Sequence, residues 1–206
     1  MAAGVTKKSG KGLRDGVISE LTTYWAVRPG HEEELRAAVG RFAEVLRNIG
    51  PAQTIRTGLR DSRHVIFDGG RRLLWVTTYE SDWDPYVDDA LIVVGLENFL
   101  DWLQHTTEAE KVFAWLESAG LAGKLDKTDP GYAETVKKTS AGLKAIIQSA
   151  QIQAAAYFNP LGALTMPQIA KAKALEQAFQ EVLDDPAAEE ALQHPALKPL
   201  LDQAAS

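Results

Sequence analysis

An α+β fold, with helices covering one face of a four-stranded antiparallel sheet, is what this chain of 206 residues predicts, and three observations predict it. Strand-like and helix-like segments follow one another in the order strand, helix, strand, strand, helix, strand. The two central strand-like runs flank Asp68-Gly69-Gly70, a strong hairpin signal. The segment before them repeats apolar residues at spacings of four and three, the period of an amphipathic helix.

The opening MAAGVTKKSGKGLRDG is rich in glycine and lysine and has no apolar run of the kind a secretory leader carries. Residues 1–16 are therefore expected to form a flexible tail, and residues 17–206 one elaborated domain. In VISELTTYWAVRPG the Thr, Tyr, Trp and Val residues favour a first strand, which Pro29-Gly30 stops. The next segment, HEEELRAAVGRFAEVLRNIG, sets Leu35, Val39, Phe42, Leu46 and Ile49 on one helical face. Its first turn carries Glu32 to Glu34, and Gly50-Pro51 ends it. RHVIF and RRLLWVTTYE supply the second and third strands, paired antiparallel across the glycines.

Asp84 precedes Pro85 as a cap precedes a first-turn proline, and YVDDALIVVGLENFLDWLQHT then reads as helix with a bend at Gly95. EAEKVFAWLESAG adds another helical piece. From Leu121 the chain turns polar and lysine-rich around Pro130-Gly131, so residues 121–149 are expected as an insertion. QIQAAAYFNP is expected as the last strand, against the helix preference of its alanines. Residues 165–206 are expected as carboxyl-terminal helices, broken at Pro195 and Pro199. This order of elements is ferredoxin-like.

Composition narrows the function. With 45 % apolar and 24 % charged residues the chain suits a sizeable core rather than disorder. A net charge of −6 weighs against a nucleic-acid surface. The absence of cysteine excludes thiol catalysis, disulfides and cysteine-ligated metals. No stretch approaches the roughly eighteen apolar residues of a membrane span. The expectation is a soluble cytoplasmic protein that engages neither nucleic acid nor membrane.

Strand parity separates two faces of the hairpin. A turn across Gly69-Gly70 sets Phe67 opposite Arg72, Val65 opposite Leu74 and Arg63 opposite Val76. The other face gathers Ile66 with Leu73, His64 with Trp75, Ser62 with Thr77 and Arg60 with Tyr79. The aliphatic face is expected to pack on helices, and the aromatic, polar face to line a cavity or a dimer interface. In the last strand Gln151, Gln153, Ala155 and Tyr157 would share one side. Tyr24 and Trp25 point to opposite sides of the first strand, and the sequence leaves open which is inward.

The stretches ELTTYWAVRPGHEEELRAAVGRFAEVLRNI and RHVIFDGGRRLLWVTTYESDWDPYVDD resemble the dimeric α+β-barrel superfamily, and in particular its antibiotic-biosynthesis-monooxygenase-type domains. The likeness spans Ile18 to Leu103, with Gln151 to Leu183 fitting more loosely. It implies two sheets meeting face to face in a homodimer, and a small-molecule ligand held against each sheet. The family also contains haem-degrading enzymes and peroxidases.

His64 is the leading candidate for catalysis, since a neutral imidazole can serve as base, proton shuttle or haem ligand. Its other reading is a structural or interface histidine. Arg60 is expected to bind a carboxylate, a phosphate or a haem propionate, or else to form a surface salt bridge. Trp75, Tyr79, Tyr157, Gln153 and Tyr24 are candidate substrate-binding residues, with ordinary packing as the alternative for the aromatic ones. The cofactor is left as none or haem. The acidic knot of Asp82, Asp84, Asp88 and Asp89 is read as helix capping rather than a cation site. His31, His105 and His194 share no ligand motif, so no metal site is built from them. The expected function is a small-molecule enzyme binding a hydrophobic or aromatic substrate, oxygenase-like or transferring protons, with a haem protein or a non-catalytic dimer as alternatives.

Overall fold

The computed structural model describes residues 12–123 and 125–205 with their side chains and the backbone of residues 6–7. The chain divides into two compact units, Met1–Thr165 and Met166–Ser206.

In the first unit β1 (Thr6–Lys7) and β2 (Leu13–Asp15) lead into β3 (Ile18–Ala26), α1 (Glu32–Ile49) and α2 (Pro51–Arg56). The hairpin β4 (Leu59–Phe67) and β5 (Arg72–Glu80) follows. Next come α3 (Trp83–Ala90), a π-helical turn over Leu91–Gly95, and α4 (Leu96–Leu103). The unit closes with α5 (Ala109–Ser118), α6 (Tyr132–Thr139), α7 (Ala141–Ser149) and β6 (Gln151–Ile152). β5 lies between β3 and β4, and β6 pairs with the other edge of β3, every pairing antiparallel. The order β6-β3-β5-β4 is ferredoxin-like, as the sequence predicts.

The expected hairpin register is met from Phe67↔Arg72 to Ser62↔Thr77. The turn works because Asp68, Gly69 and Gly70 all take positive φ, and the Asp68 carboxylate holds Arg71 and Arg72. Beyond Asp61 the register slips at a bulge, so Leu59, not Arg60, faces Tyr79.

The covered face is the reverse of the expected one. Leu21, Thr23 and Trp25 of β3 and Leu73, Trp75, Thr77 and Tyr79 of β5 are buried, on the same side as Ser62 and His64. Leu35, Ala38 and Phe42 of α1, with Phe99, Trp102 and Leu103 of α4, complete this core. The aliphatic side carries Val65 and Phe67, which are exposed at 43 % and 36 %. That side also carries Asp61, Arg63 and Arg72, all exposed, and a face with three such charges is the costlier one to bury.

Four further expectations need correction. Residues 13–15, placed in the flexible tail, are paired as β2, while most of the remaining tail lies outside the described residues. The helix after β5 begins at Trp83 with Asp82 as its cap position, so Asp84 sits inside the first turn. Residues 121–149 do not leave the fold, because Leu121, Tyr132, Val136, Leu143 and Ile147 enter the core. The last strand is two residues long. Its alanines, Pro160 and Gly162 sustain no ladder, and residues 153–165 run as an irregular segment. This segment is tied down by Val17 N–H to the Gly162 carbonyl at 2.8 Å and Asn159 N–H to Asp15 Oδ2 at 2.9 Å.

The second unit contains α8 (Met166–Leu183) and the short helices α9 (Glu189–Leu192) and α10 (Lys198–Ala204). Two single 3₁₀ turns begin at Pro186 and Pro195, and the side chains of Asp185 and His194 accept from Ala187 N–H and Ala196 N–H at their starts. No described residue of this unit is buried.

Candidate functional site

The helix-covered side of the hairpin forms an aromatic layer. Trp75 lies 5.6 Å from Trp102 and 5.9 Å from Phe99 between ring centres, and its indole N–H donates to Ser62 Oγ at 3.1 Å. Tyr79 stacks on Tyr86 of α3 at 4.0 Å with 7° between planes. The Tyr86 hydroxyl and Thr77 Oγ1 share a hydrogen bond of 2.9 Å. Between these rings is a cavity of about 20 Å³, room for about one water. Phe42, Leu46, Leu59, Trp75 and Phe99 give it an apolar wall, and Ser62, Thr57 and Tyr86 give it hydroxyls.

His64 sits in the same layer one strand step beyond Ser62, without lining the cavity. Phe42 and Trp102 approach it edge-on at 5.2 Å each, and Trp75 stacks at 6.1 Å. Its Nε2 is buried with no hydrogen-bond partner among the described residues. Burial lowers its pKa from 6.5 to about 4, so the ring is neutral at physiological pH. Burial likewise pushes the Tyr79 and Tyr86 hydroxyls above their ordinary range. Haem does not fit at His64: three aromatic rings occupy the space a porphyrin would need, and the adjoining cavity holds about one water.

The remaining expected site residues are not brought to this layer. Arg60 occupies the bulge, where its Nε lies 2.5 Å from Glu80 Oε1 in a nearly buried charge contact and its guanidinium donates to the Leu164 carbonyl. Tyr24 faces the open side of the sheet beside Leu74, and Gln153 is exposed beyond the end of β6. Tyr157 lies in the irregular segment, with its hydroxyl 3.5 Å from Asn159 Nδ2. Burial, partly offset by that contact, raises its pKa. Of the seven expected site residues, His64, Trp75 and Tyr79 share this layer.

The acidic knot is partly accounted for by a lysine. Lys144 Nζ lies 2.8 Å from Asp88 and 3.3 Å from Asp84. Among the described residues, no three His, Asp or Glu side chains converge in a way that could hold a metal. The structure does bring together His31 and His105, Nδ1 to Nδ1 at 3.0 Å, across the loops after β3 and α4. Their separation of 74 residues carries no sequence signal. Phe42, Phe99 and Trp102 were legible as helix residues but not as walls of the same space as Trp75.

Outside this layer, a cleft of about 430 Å³ opens between α2, the π turn and α6. Thr57 lines both the cleft and the inner cavity. One wall of the cleft is α2, six residues with none buried, flanked by Gly50 and Gly58 at positive φ and leading directly into Thr57.

Among the described residues no helix is long and apolar enough to cross a membrane. No protein-family model and no curated protein matches the chain. Among solved structures, a crystal structure of a candidate antibiotic biosynthesis monooxygenase from Bordetella bronchiseptica is similar to it at 18 % identity, over 46 % of this chain and 85 % of that one, with a TM-score of 0.29.

Proposed function

We propose that the chain binds a hydrophobic or aromatic small molecule between its sheet and its helices, against Trp75. The observation that carries this reading is the apolar cavity that meets an outer cleft at Thr57. At about 20 Å³ the cavity is too small for a ring as it stands. The helix that leads into Thr57, α2, has no buried side chain to anchor it, so its outward movement is a cheap way to enlarge the cavity.

Of the two reaction classes expected for such a pocket, proton transfer draws the weaker support. A base with a pKa of about 4 is poorly matched to abstracting a proton near neutral pH, and His64 does not line the cavity. Ligand recognition, or oxygenation by dioxygen of a substrate acidic enough to give its proton to water and enter as the stabilised carbanion, needs less of the protein. The hydroxyls of Ser62, Thr57 and Tyr86 would then orient the ring.

Indole added to isotope-labelled protein tests the site by NMR. Saturable shifts at Thr57, Leu59 and the Trp75 indole are expected, and Ala90→Leu, which fills the cavity wall, should abolish them without unfolding the chain. Shifts that persist in Ala90→Leu, or none that saturate, would refute the reading.

A second reading, a homodimer through the open sheet face, is supported by the exposure of Val65 and Phe67 on that face. Sedimentation should then show a dimer that Val65→Glu dissociates. A monomeric wild type would dismiss it.

A further inference from the structure

The outer cleft has a chemistry of its own. In a chain of net charge −6, its walls carry Arg56, Lys127 and Lys137 against a single carboxylate, Asp89, among the described residues. Lys127 is held in place, with Nζ donating to the Val93 carbonyl at 2.5 Å on the π turn. Asp126, the acid next to Lys127, accepts from Thr128 N–H and Oγ1 at 2.8 and 2.6 Å and does not line the cleft. Arg56 and Lys137 have no ion-pair partner among the described residues.

Gln53 and Thr57 add neutral polar groups to the rim, and Ile92 and Val93 form an apolar floor. That floor is part of the π turn, a widened helical turn of a kind found frequently at functional sites.

We propose that this cleft is an oxyanion site, taking the phosphate or carboxylate group of a small molecule. Arg56 and Lys137 would supply charge-assisted hydrogen bonds from α2 and α6, and Lys127 a third positive charge beside the floor. Asp89 offsets one of the three cations and leaves the cleft positive overall. Thr57 is common to the cleft and the cavity, so the molecule held here by its acidic group would pass its apolar part toward Trp75. That second half rests on the reading of the cavity given above; the oxyanion site does not.

Both free cations are exposed, so replacing them leaves the core intact. The test is an amide-shift titration of the wild type and of the double variant Arg56→Gln, Lys137→Gln with inorganic phosphate, benzoate and neutral benzamide. Saturable shifts at Gln53 to Thr57 and at Ile92 and Val93 are expected with the two anions. The double variant should bind them at least about tenfold more weakly. Tighter binding of phosphate than of benzoate would identify a phosphate group as the natural one, and the reverse a carboxylate. Absence of saturable shifts in the cleft, or equal binding by the variant, would overturn the proposal. Anions that titrate the cleft while neither benzoate nor benzamide perturbs Trp75 would uphold the oxyanion site and remove the apolar cavity from the ligand's path.

Discussion

Replacing His64 with phenylalanine measures how far the imidazole is carried neutral inside the aromatic layer. Burial lowers its pKa from 6.5 to about 4. As pH falls, the unfolded chain therefore takes up a proton at this position before the folded chain does. Because the folded value lies below the unfolded one, the stability at stake is fully present above pH 6.5 and is lost as pH falls from 6.5 toward 4. The gap between 6.5 and about 4 corresponds to about 3 kcal/mol at its limit, of which about 2 kcal/mol falls between pH 7 and pH 4.5.

The assay is urea unfolding followed by far-ultraviolet circular dichroism, since tryptophan emission would respond directly to a change beside Trp75 and Trp102. Between pH 7 and pH 4.5 the wild type should lose about 2 kcal/mol more than His64→Phe, the other titrating groups contributing equally to both. At pH 7 the two should agree within about 1 kcal/mol. Removal of the unpartnered Nε2 and the larger ring act in opposite directions. Equal acid sensitivity in the two proteins, or an imidazole whose NMR titration centres near 6.5, would show that the ring is hydrated and refute its placement among Phe42, Trp75 and Trp102.

Three other perturbations probe the frame around the site. Arg60→Ala should destabilise the fold by about 1–3 kcal/mol in thermal unfolding, because the guanidinium's nearly buried contact with Glu80 and its bond to the Leu164 carbonyl would both be lost. Glu80→Gln should cost less. His105 is held below its ordinary pKa by burial and then by His31, with Asp101 and Glu34 pulling the other way and Arg41 adding to the lowering. Its contribution is thus lost as pH falls below 6.5, and His105→Gln should flatten the decline in melting temperature between pH 7 and 5. Gly95→Ala places a side chain at φ 103°, against the Glu97 carboxylate. It should cost about 1–3 kcal/mol and speed hydrogen exchange at Leu96, whose N–H is otherwise held by the Tyr132 hydroxyl at 2.6 Å.

Pairing was the legible part of this molecule, and facing was not. The hairpin register follows from two glycines and a period of two, which are local facts, and it is met to within the bulge at Arg60. Which side the helices cover depends on how α1 and α4 land on the sheet, and for that the chemical character of the two faces was weighed wrongly. A histidine and two hydroxyls on one side suggested a cavity or a dimer interface rather than a face packed under helices, yet each hydroxyl has an internal partner and the imidazole stays neutral. Ser62 accepts from Trp75, Thr77 shares a bond with Tyr86, and His64 sheds its proton. The stronger signal lay on the opposite parity, where Asp61, Arg63 and Arg72 alternate with the aliphatic residues and stay exposed. Groups that cannot be neutralised near pH 7 without large cost belong outside, and neutral polar groups with partners do not. Counting formal charges along each parity, before weighing hydrophobicity, would have put Trp75 and His64 under the helices from the sequence alone. The charge count says nothing of the outer cleft, however. Arg56, Lys127 and Lys137 come from three segments that local periodicity does not relate, and only the packing of α2, the π turn and α6 brings them to one opening.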